Sequence, residues 1–235
     1  MPEFRILSTG NEEFDVKLGG GLPYPTLVII EGEHGTGKTA LSQLLLLGAL
    51  RAGLRALVLT SESRPADYVI KASASGFPLE DYYIKGQLRV YSLQYPGDLT
   101  VEVADEIALR LASLLPGLAG EYGFLVVDSL SYIASRASEP LLNQLVVALR
   151  AAASKGLGVV ATIHPSAAPK GFINDLLASA DGYLRVSQAV VGGRRLKVLS
   201  IVKLRGAPPG IETTITFDVD PAFGIKLVPI MVSQA

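Results

Sequence analysis

Four stretches of this chain are apolar at nearly every position rather than at every second one: Thr26 to Glu31, Leu54 to Ser61, Gly123 to Val127 and Leu157 to Ile163. Unbroken apolar runs of this length predict strands buried on both faces, as in a parallel sheet. A shorter strand is expected at Leu88 to Ser92. The segments between the runs read as helices. Ala40 to Ala52 has leucines on nearly every side and Gly53 breaks it, so it is mostly buried. Pro65 suits the first turn of a helix to about Ser75, ended by Gly76 and Pro78. Thr100 to Leu115 keeps the 3.6 period until Pro116 and Gly117, and Glu139 to Ser154 opens with Pro140 and ends before Gly156.

Strand and helix alternate, which predicts an α/β fold: a mostly parallel central sheet with helices on both faces. After Asp181 the pattern changes to two β-hairpins. The first runs from Tyr183 to Val190 and Arg195 to Leu204, with Gly192-Gly193 at its tip. The second runs from Ile211 to Val219 and Phe223 to Val228, around Asp220-Pro221. Residues 1 to 25, with Gly19-Gly20-Gly21, Pro23 and Pro25, read as a turn-rich lead-in to the first long strand. No internal repeat or linker divides the chain, so residues 1–235 are expected to form a single domain.

Composition narrows the function classes. The chain is 49% hydrophobic and 18% charged, and part of that apolar surplus suits a subunit interface. Its net charge of −1 gives no global pull toward nucleic acid or an anionic membrane. With no Cys, thiolate metal sites, Cys nucleophiles and disulfides are excluded. The opening MPEFRILSTGNEEF lacks a signal peptide's basic start and apolar run. Leu44 to Leu59 is broken by Arg51 and Arg55, so no transmembrane segment is expected and a cytoplasmic protein is.

The first long strand runs into Gly32-Glu33-His34-Gly35-Thr36-Gly37-Lys38-Thr39, which fits G-x-x-x-x-G-K-[ST] between a buried strand and an apolar helix. Glycines in such a loop let backbone N–H groups turn inward around phosphate oxygens, and the following helix adds favourable field. Lys38 is expected to reach the outer phosphates, and the Thr39 hydroxyl to be a Mg²⁺ ligand. Asp128 ends the third run; it either holds Mg²⁺, directly or through water, or caps the next turn with Ser129. Glu62 ends the second run and either orients the attacking water or faces the dipole of the helix begun by Pro65. His164 ends the fourth run and either senses the last phosphate or satisfies a local hydrogen bond. His34 sits inside the loop at a variable position. Lys203 and Arg205, in IVKLRG, share one strand face; they are either solvated or inserted into a neighbour's nucleotide site. No catalytic triad and no transition-metal spacing is found.

STGNEEFDVKLGGGLP, GEHGTGKT, LVVDS and VKLRG together resemble the RecA/KaiC superfamily of ATPases. Within it, the stretch from Gly10 to Thr39 and the tail FDVDPAFGIKLVPI resemble the FlaH (ArlH) family of archaellum-associated ATPases, over nearly the whole chain. The resemblance implies a RecA-like P-loop NTPase core binding ATP and Mg²⁺, with Lys38, Thr39, Glu62 and Asp128 at the nucleotide and metal positions. It implies a ring-shaped homo-oligomer, often a hexamer, at the cytoplasmic, membrane-proximal base of the archaellum, in contact with the motor ATPase FlaI and a ring scaffold. It also implies weak or absent hydrolysis, so that ATP acts as a switch. Lys203 and Arg205 match a K-x-R pair that KaiC-type proteins place across a subunit boundary. Two departures stand out. Ala207-Pro208-Pro209-Gly210 follows that pair in place of a polar continuation, and a single Glu62 between Ser61 and Ser63 replaces KaiC's paired glutamates. A KaiC-like signalling autokinase is the alternative function. A DNA-handling ATPase is a weaker one, because only Arg136 is basic between Ser129 and Leu142, and only Lys170 between His164 and Leu176.

Overall fold

The computed structural model describes residues 5–191 and 193–229. Gly192, at the tip of the first expected hairpin, and the two chain ends lie outside the described residues. In chain order the strands are β1 (Arg5–Leu7), β2 (Leu22–Tyr24), β3 (Leu27–Gly32), β4 (Ala56–Thr60), β5 (Leu88–Ser92), β6 (Phe124–Asp128), β7 (Gly158–Ile163), β8 (Gly182–Val191), β9 (Arg194–Leu204), β10 (Thr214–Asp220) and β11 (Gly224–Leu227). The helices are α1 (Glu12–Lys17), α2 (Lys38–Arg51), α3 (Pro65–Ala74), α4 (Glu80–Ile84), α5 (Val101–Leu114), α6 (Ser131–Ala134), α7 (Glu139–Ser154) and α8 (Lys170–Ser179).

A nine-stranded sheet runs in the order β11-β10-β9-β8-β3-β7-β6-β4-β5. From β8 to β5 its neighbours are parallel; β9, β10 and β11 extend it antiparallel as the two expected hairpins. The unbroken apolar runs have the burial they predict, because alternate residues enter opposite cores. Val28, Ile30, Val58, Val126 and Val160 pack with α2 and α3. Leu27, Ile29, Leu57, Leu125 and Val159 pack with α5, α6, α7 and α8. α2 is buried at every residue from Ala40 to Leu50, as its all-round leucines require. No helix among the described residues is long and apolar enough to cross a membrane.

The differences from the expected elements fall where elements are short. Residues 5–24 are a folded unit rather than a plain lead-in. β1 pairs antiparallel with β2, and α1 lies between them in sequence. Asn11 caps α1 by accepting from Phe14 N at 3.0 Å. Buried Asp15 accepts from the Ser8 hydroxyl at 2.6 Å and from the Thr9 amide and hydroxyl at 2.9 and 2.7 Å. Strands and helices of three to six residues are too short to show a period, but Asn11-Glu12-Glu13 was a readable helix start. Gly21, at φ +136°, lies where a Cβ would come within 2.3 Å of the Leu7 carbonyl oxygen. The glycine run therefore packs on β1 and, through Gly19, on Pro208 and Ile211. α4, α6 and α8 are likewise absent from the sequence pattern, and β10 starts at Thr214 rather than Ile211.

The N-terminal unit rests on α2 at Gly48, where a Cβ would stand 2.5 Å from the Ser8 carbonyl oxygen. Helix propensity alone favours Gly48→Ala by about 1 kcal/mol. The clash is with backbone, however, and overpacking of this kind costs about 1–3 kcal/mol. Gly48→Ala is therefore expected to lower the urea midpoint; a raised midpoint would show that the Ser8 segment yields freely.

Candidate functional site

The parallel register decides which residues meet. Thr60 is opposite Asp128, Val127 opposite Ala161, and Ile30 opposite Thr162. The strands β3, β4, β6 and β7 thus deliver the phosphate-loop motif, Glu62, Asp128 and His164 to one carboxyl edge, where open parallel sheets hold ligands. His34, Lys38, Glu62, Ser129, Ser131 and His164 line a cleft of about 260 Å³ there, together with Tyr132, Ser135 and Ala167.

The loop is built as the motif requires. A Cβ on Gly32 would lie 2.4 Å from the Val186 carbonyl oxygen and 2.7 Å from the Thr36 hydroxyl. Gly35 and Gly37 take φ of +72° and +100°, which only glycine adopts at little cost. Buried Thr36 donates its hydroxyl to the Glu33 carbonyl at 2.8 Å, and Lys38 Nζ donates to the same oxygen at 2.9 Å. Gln188 of β8 donates to the Gly35 carbonyl at 2.9 Å, tying the first hairpin to the loop. Thr39 follows Lys38 in the first turn of α2.

Asp128 is almost fully buried and accepts the Thr162 hydroxyl at 2.5 Å. Burial raises its carboxyl above the ordinary value, while the hydroxyls of Thr162 and Thr39 and the Lys38 ammonium pull the other way. Partial burial raises Glu62 as well, with repulsion from Asp128 adding to it and Lys38 opposing. Burial lowers Lys38, offset by Asp128, Glu62 and Glu33. The Asp128–Ser129 peptide is cis. Ser61 clamps the two strand ends: its amide donates to the Asp128 carbonyl at 2.8 Å and its hydroxyl accepts the Ser129 amide at 3.0 Å.

His164 is buried. Its amide donates to the Ser131 hydroxyl at 2.7 Å and its Nδ1 meets the Ser166 hydroxyl at 2.9 Å. Its ring lies under His34, centroids 4.0 Å apart. Burial lowers its pKa, with Glu33 opposing and His34 and Lys38 adding to the lowering.

Lys203 and Arg205 are not brought to this cleft within the chain. They lie at the amino-terminal edge of the parallel strands. There Lys203 Nζ donates to the Ala180 carbonyl, and Arg205 stands 3.9 Å from Asp181. Asp181 also takes Arg150 at 2.6 Å and the Leu27 amide at 3.1 Å.

The donor set suits Mg²⁺ and a nucleotide. Asp128 and Thr39 offer hard oxygen ligands side by side, and the glycines leave a cradle that a Cβ at Gly32 would fill. A sequence model of the KaiC ATPase family matches residues 7–231. The archaeal flagellar ATP-binding protein FlaH of Sulfolobus acidocaldarius is 38% identical over 98% of this chain and 100% of its own length. The chain belongs to the FlaH family of KaiC-type ATPases. The crystal structure of the flagellar accessory protein FlaH from Methanocaldococcus jannaschii aligns at a TM-score of 0.80, with 22% identity over 97% of this chain and 100% of that one. A KaiC-like protein from Pyrococcus horikoshii aligns at 0.74, with 22% identity over 96% of this chain and 100% of that one. At such identities these likenesses bear on the fold alone, and they agree with the RecA-like architecture.

For this FlaH-family chain, several residues of the site escaped the sequence reading. Thr162 was one readable signal, a lone hydroxyl in the apolar run GVVATI. Ser61, Ser131, Ser166 and Gln188 carried none, since Ser and Gln are ordinary surface residues.

Asp128 is more easily protonated in the folded chain than in the unfolded one. Its contribution to stability is therefore present at low pH and lost as pH rises through its folded-state pKa. Asp128→Asn keeps an oxygen for Thr162 and removes that cost. It is expected to stabilise the metal-free protein near neutral pH by about 1 kcal/mol, a rise of about 2–4 °C in Tm. Calorimetry checks this, and a lower Tm would mean that the carboxylate is a net structural asset.

Proposed function

We propose that this chain is an ATP-binding component of the archaellum motor and assembly complex, in which bound ATP acts as a switch and is turned over slowly or not at all. The observation that carries this reading is the buried carboxylate of Asp128, set at the strand end beside Thr39 and Lys38 in the mouth of a glycine cradle. A buried acid with two hydroxyl neighbours and one ammonium is poorly explained as structure alone, and well explained as a Mg²⁺–nucleotide site. Relatives named archaeal flagellar ATP-binding proteins support both the ligand and the assembly.

Each side chain has a role in this reading. Backbone N–H groups of residues 33–39 wrap the phosphates, Lys38 exchanges the Glu33 carbonyl for outer phosphate oxygens, and Thr39 and Asp128 hold Mg²⁺. The metal would neutralise charge on those phosphates. Glu62, raised by burial and by Asp128, is a candidate to orient or deprotonate water, which leaves room for weak ATPase activity.

The reading extends to a single RecA/KaiC-like unit over residues 1–235, assembling as a ring or hexamer. In such a ring Lys203 and Arg205 face a neighbour's nucleotide. The resemblance to FlaH supports contact with FlaI and a ring scaffold at the cytoplasmic base of the archaellum. A nucleotide switches such an assembly only if its affinity differs between the free and assembled forms.

Lys38→Ala is expected to abolish both nucleotide binding and ATP-dependent association, read by titration and by sedimentation. ATP-dependent association that survives in the variant would sink the reading. Turnover of the unaltered protein is expected far below the enzyme median of about 10 s⁻¹; rates near that median, rising with assembly, would point to a working motor instead.

A further inference from the structure

Three strands carry polar residues at or next to their carboxyl ends, above the core that α2 and α3 cover. Thr60, Asp128 and Thr162 each stand two residues beyond a valine of that core, Val58, Val126 and Val160, so all three share its face of the sheet. Thr60 accepts the Glu62 amide at 3.2 Å, and Thr162 donates to Asp128 at 2.5 Å. Two more polar side chains enter the same place from the helices. Gln43 lies one turn beyond Thr39 on α2, on the same face of that helix, and is 4% exposed. Tyr68 of α3 is 3% exposed, with its ring packed in the core. Its hydroxyl is buried and has no hydrogen-bond partner among the described residues. Burial, and then the nearby Asp128 carboxylate, push the phenol's pKa up; Gln43 opposes them without reaching the geometry of a hydrogen bond, and Glu62 adds to the rise.

Packing alone does not account for that hydroxyl. A buried donor left unpaired costs stability, and phenylalanine would fill the same space without the cost. Mg²⁺ gives up water reluctantly, and a site with one or two side-chain oxygens commonly keeps several water ligands on it. In a buried site those waters need acceptors. The side-chain oxygens of Tyr68 and Gln43 are acceptors beside the Asp128 and Thr39 pair, and the Tyr68 proton is free to go to the Asp128 carboxylate. We propose that Tyr68 and Gln43 are the outer contacts of the cation site and receive the water ligands of the Mg²⁺ held by Thr39 and Asp128. The coupling of metal to nucleotide then depends on a phenol from α3 as well as on the phosphate loop. The contact ties α3 to α2 and β6 only while the metal is bound. The inference rests on the nucleotide-binding reading above and adds to it two positioning residues that act through the cation's water.

The test is equilibrium titration of the full chain with ATP, in Mg²⁺ and in EDTA, for the unaltered protein, Tyr68→Phe and Gln43→Leu. Each is also melted without metal or nucleotide. Tyr68→Phe is expected to cut the factor by which Mg²⁺ tightens ATP about fivefold, the scale of one hydrogen bond, and to leave binding in EDTA within about twofold. Without metal and nucleotide the same variant is expected to melt about 2–4 °C higher, because an unpaired buried hydroxyl is gone. A hydroxyl with a purely structural role gives the opposite pattern, a lower melting temperature and an unchanged Mg²⁺ factor. Gln43→Leu is expected to reduce the Mg²⁺ factor in the same direction. An unaltered protein indifferent to Mg²⁺, an unchanged factor in both variants, or an equal loss with and without Mg²⁺ would overturn the proposal and leave the nucleotide reading standing. If the unaltered protein bound no ATP under either condition, the two would fall together.

Discussion

The parallel register of β3, β4, β6 and β7 is the constraint on which the site depends. Parallel strands of one sheet present their carboxyl ends, and the loops that follow them, at the same edge. Thr60, Asp128 and Thr162 therefore lie side by side, with the glycine loop beside them after Gly32. The polar groups of the cleft are spread over more than a hundred residues of chain. Only the ladder of backbone hydrogen bonds makes them neighbours, and a slip of one residue would turn Asp128 into the opposite core.

That edge concentrates charge where there is little water to screen it. Asp128 sits among apolar strands, with Thr162 as its structural partner and Lys38 as its nearest opposing charge. The acid raises Glu62 further and offsets the lowering of Lys38 by burial, so each of the three bears on the charge of the others. A fold selected only for stability would replace such a cluster with packed hydrocarbon. Its presence in an otherwise dry sheet is what the proposed nucleotide site accounts for.

The other edge of the sheet is held by a different carboxylate. Asp181 accepts the Leu27 amide, joining β3 to the start of β8, and takes Arg150 and more distantly Arg205. Lys203 is lowered by burial and by the neighbouring Arg205, with Asp181 opposing. Arg150, Lys203 and Arg205 thus gather around Asp181 at this edge, away from the cleft that holds Asp128, Glu62, Glu33 and Lys38.

The chain's own residues determined much of this. The long apolar runs read as doubly buried strands, the leucine-covered helix as interior, and the glycine-lysine motif between such elements as a phosphate loop. These are local facts, expressed over stretches long enough for a period to show. Tertiary structure decided the rest. Short elements such as α1 and β1 exist because Asp15, Ser8 and Thr9 find one another, not because six residues prefer a helix. Thr162, Ser61 and Ser131 become site residues only through strand register. Glu33 and His164, 131 residues apart (164 − 33), form a contact that no spacing rule describes. Lys203 and Arg205 were legible as a pair, but their edge was fixed by the antiparallel return of β9, which carries them away from the loop that their own chain supplies.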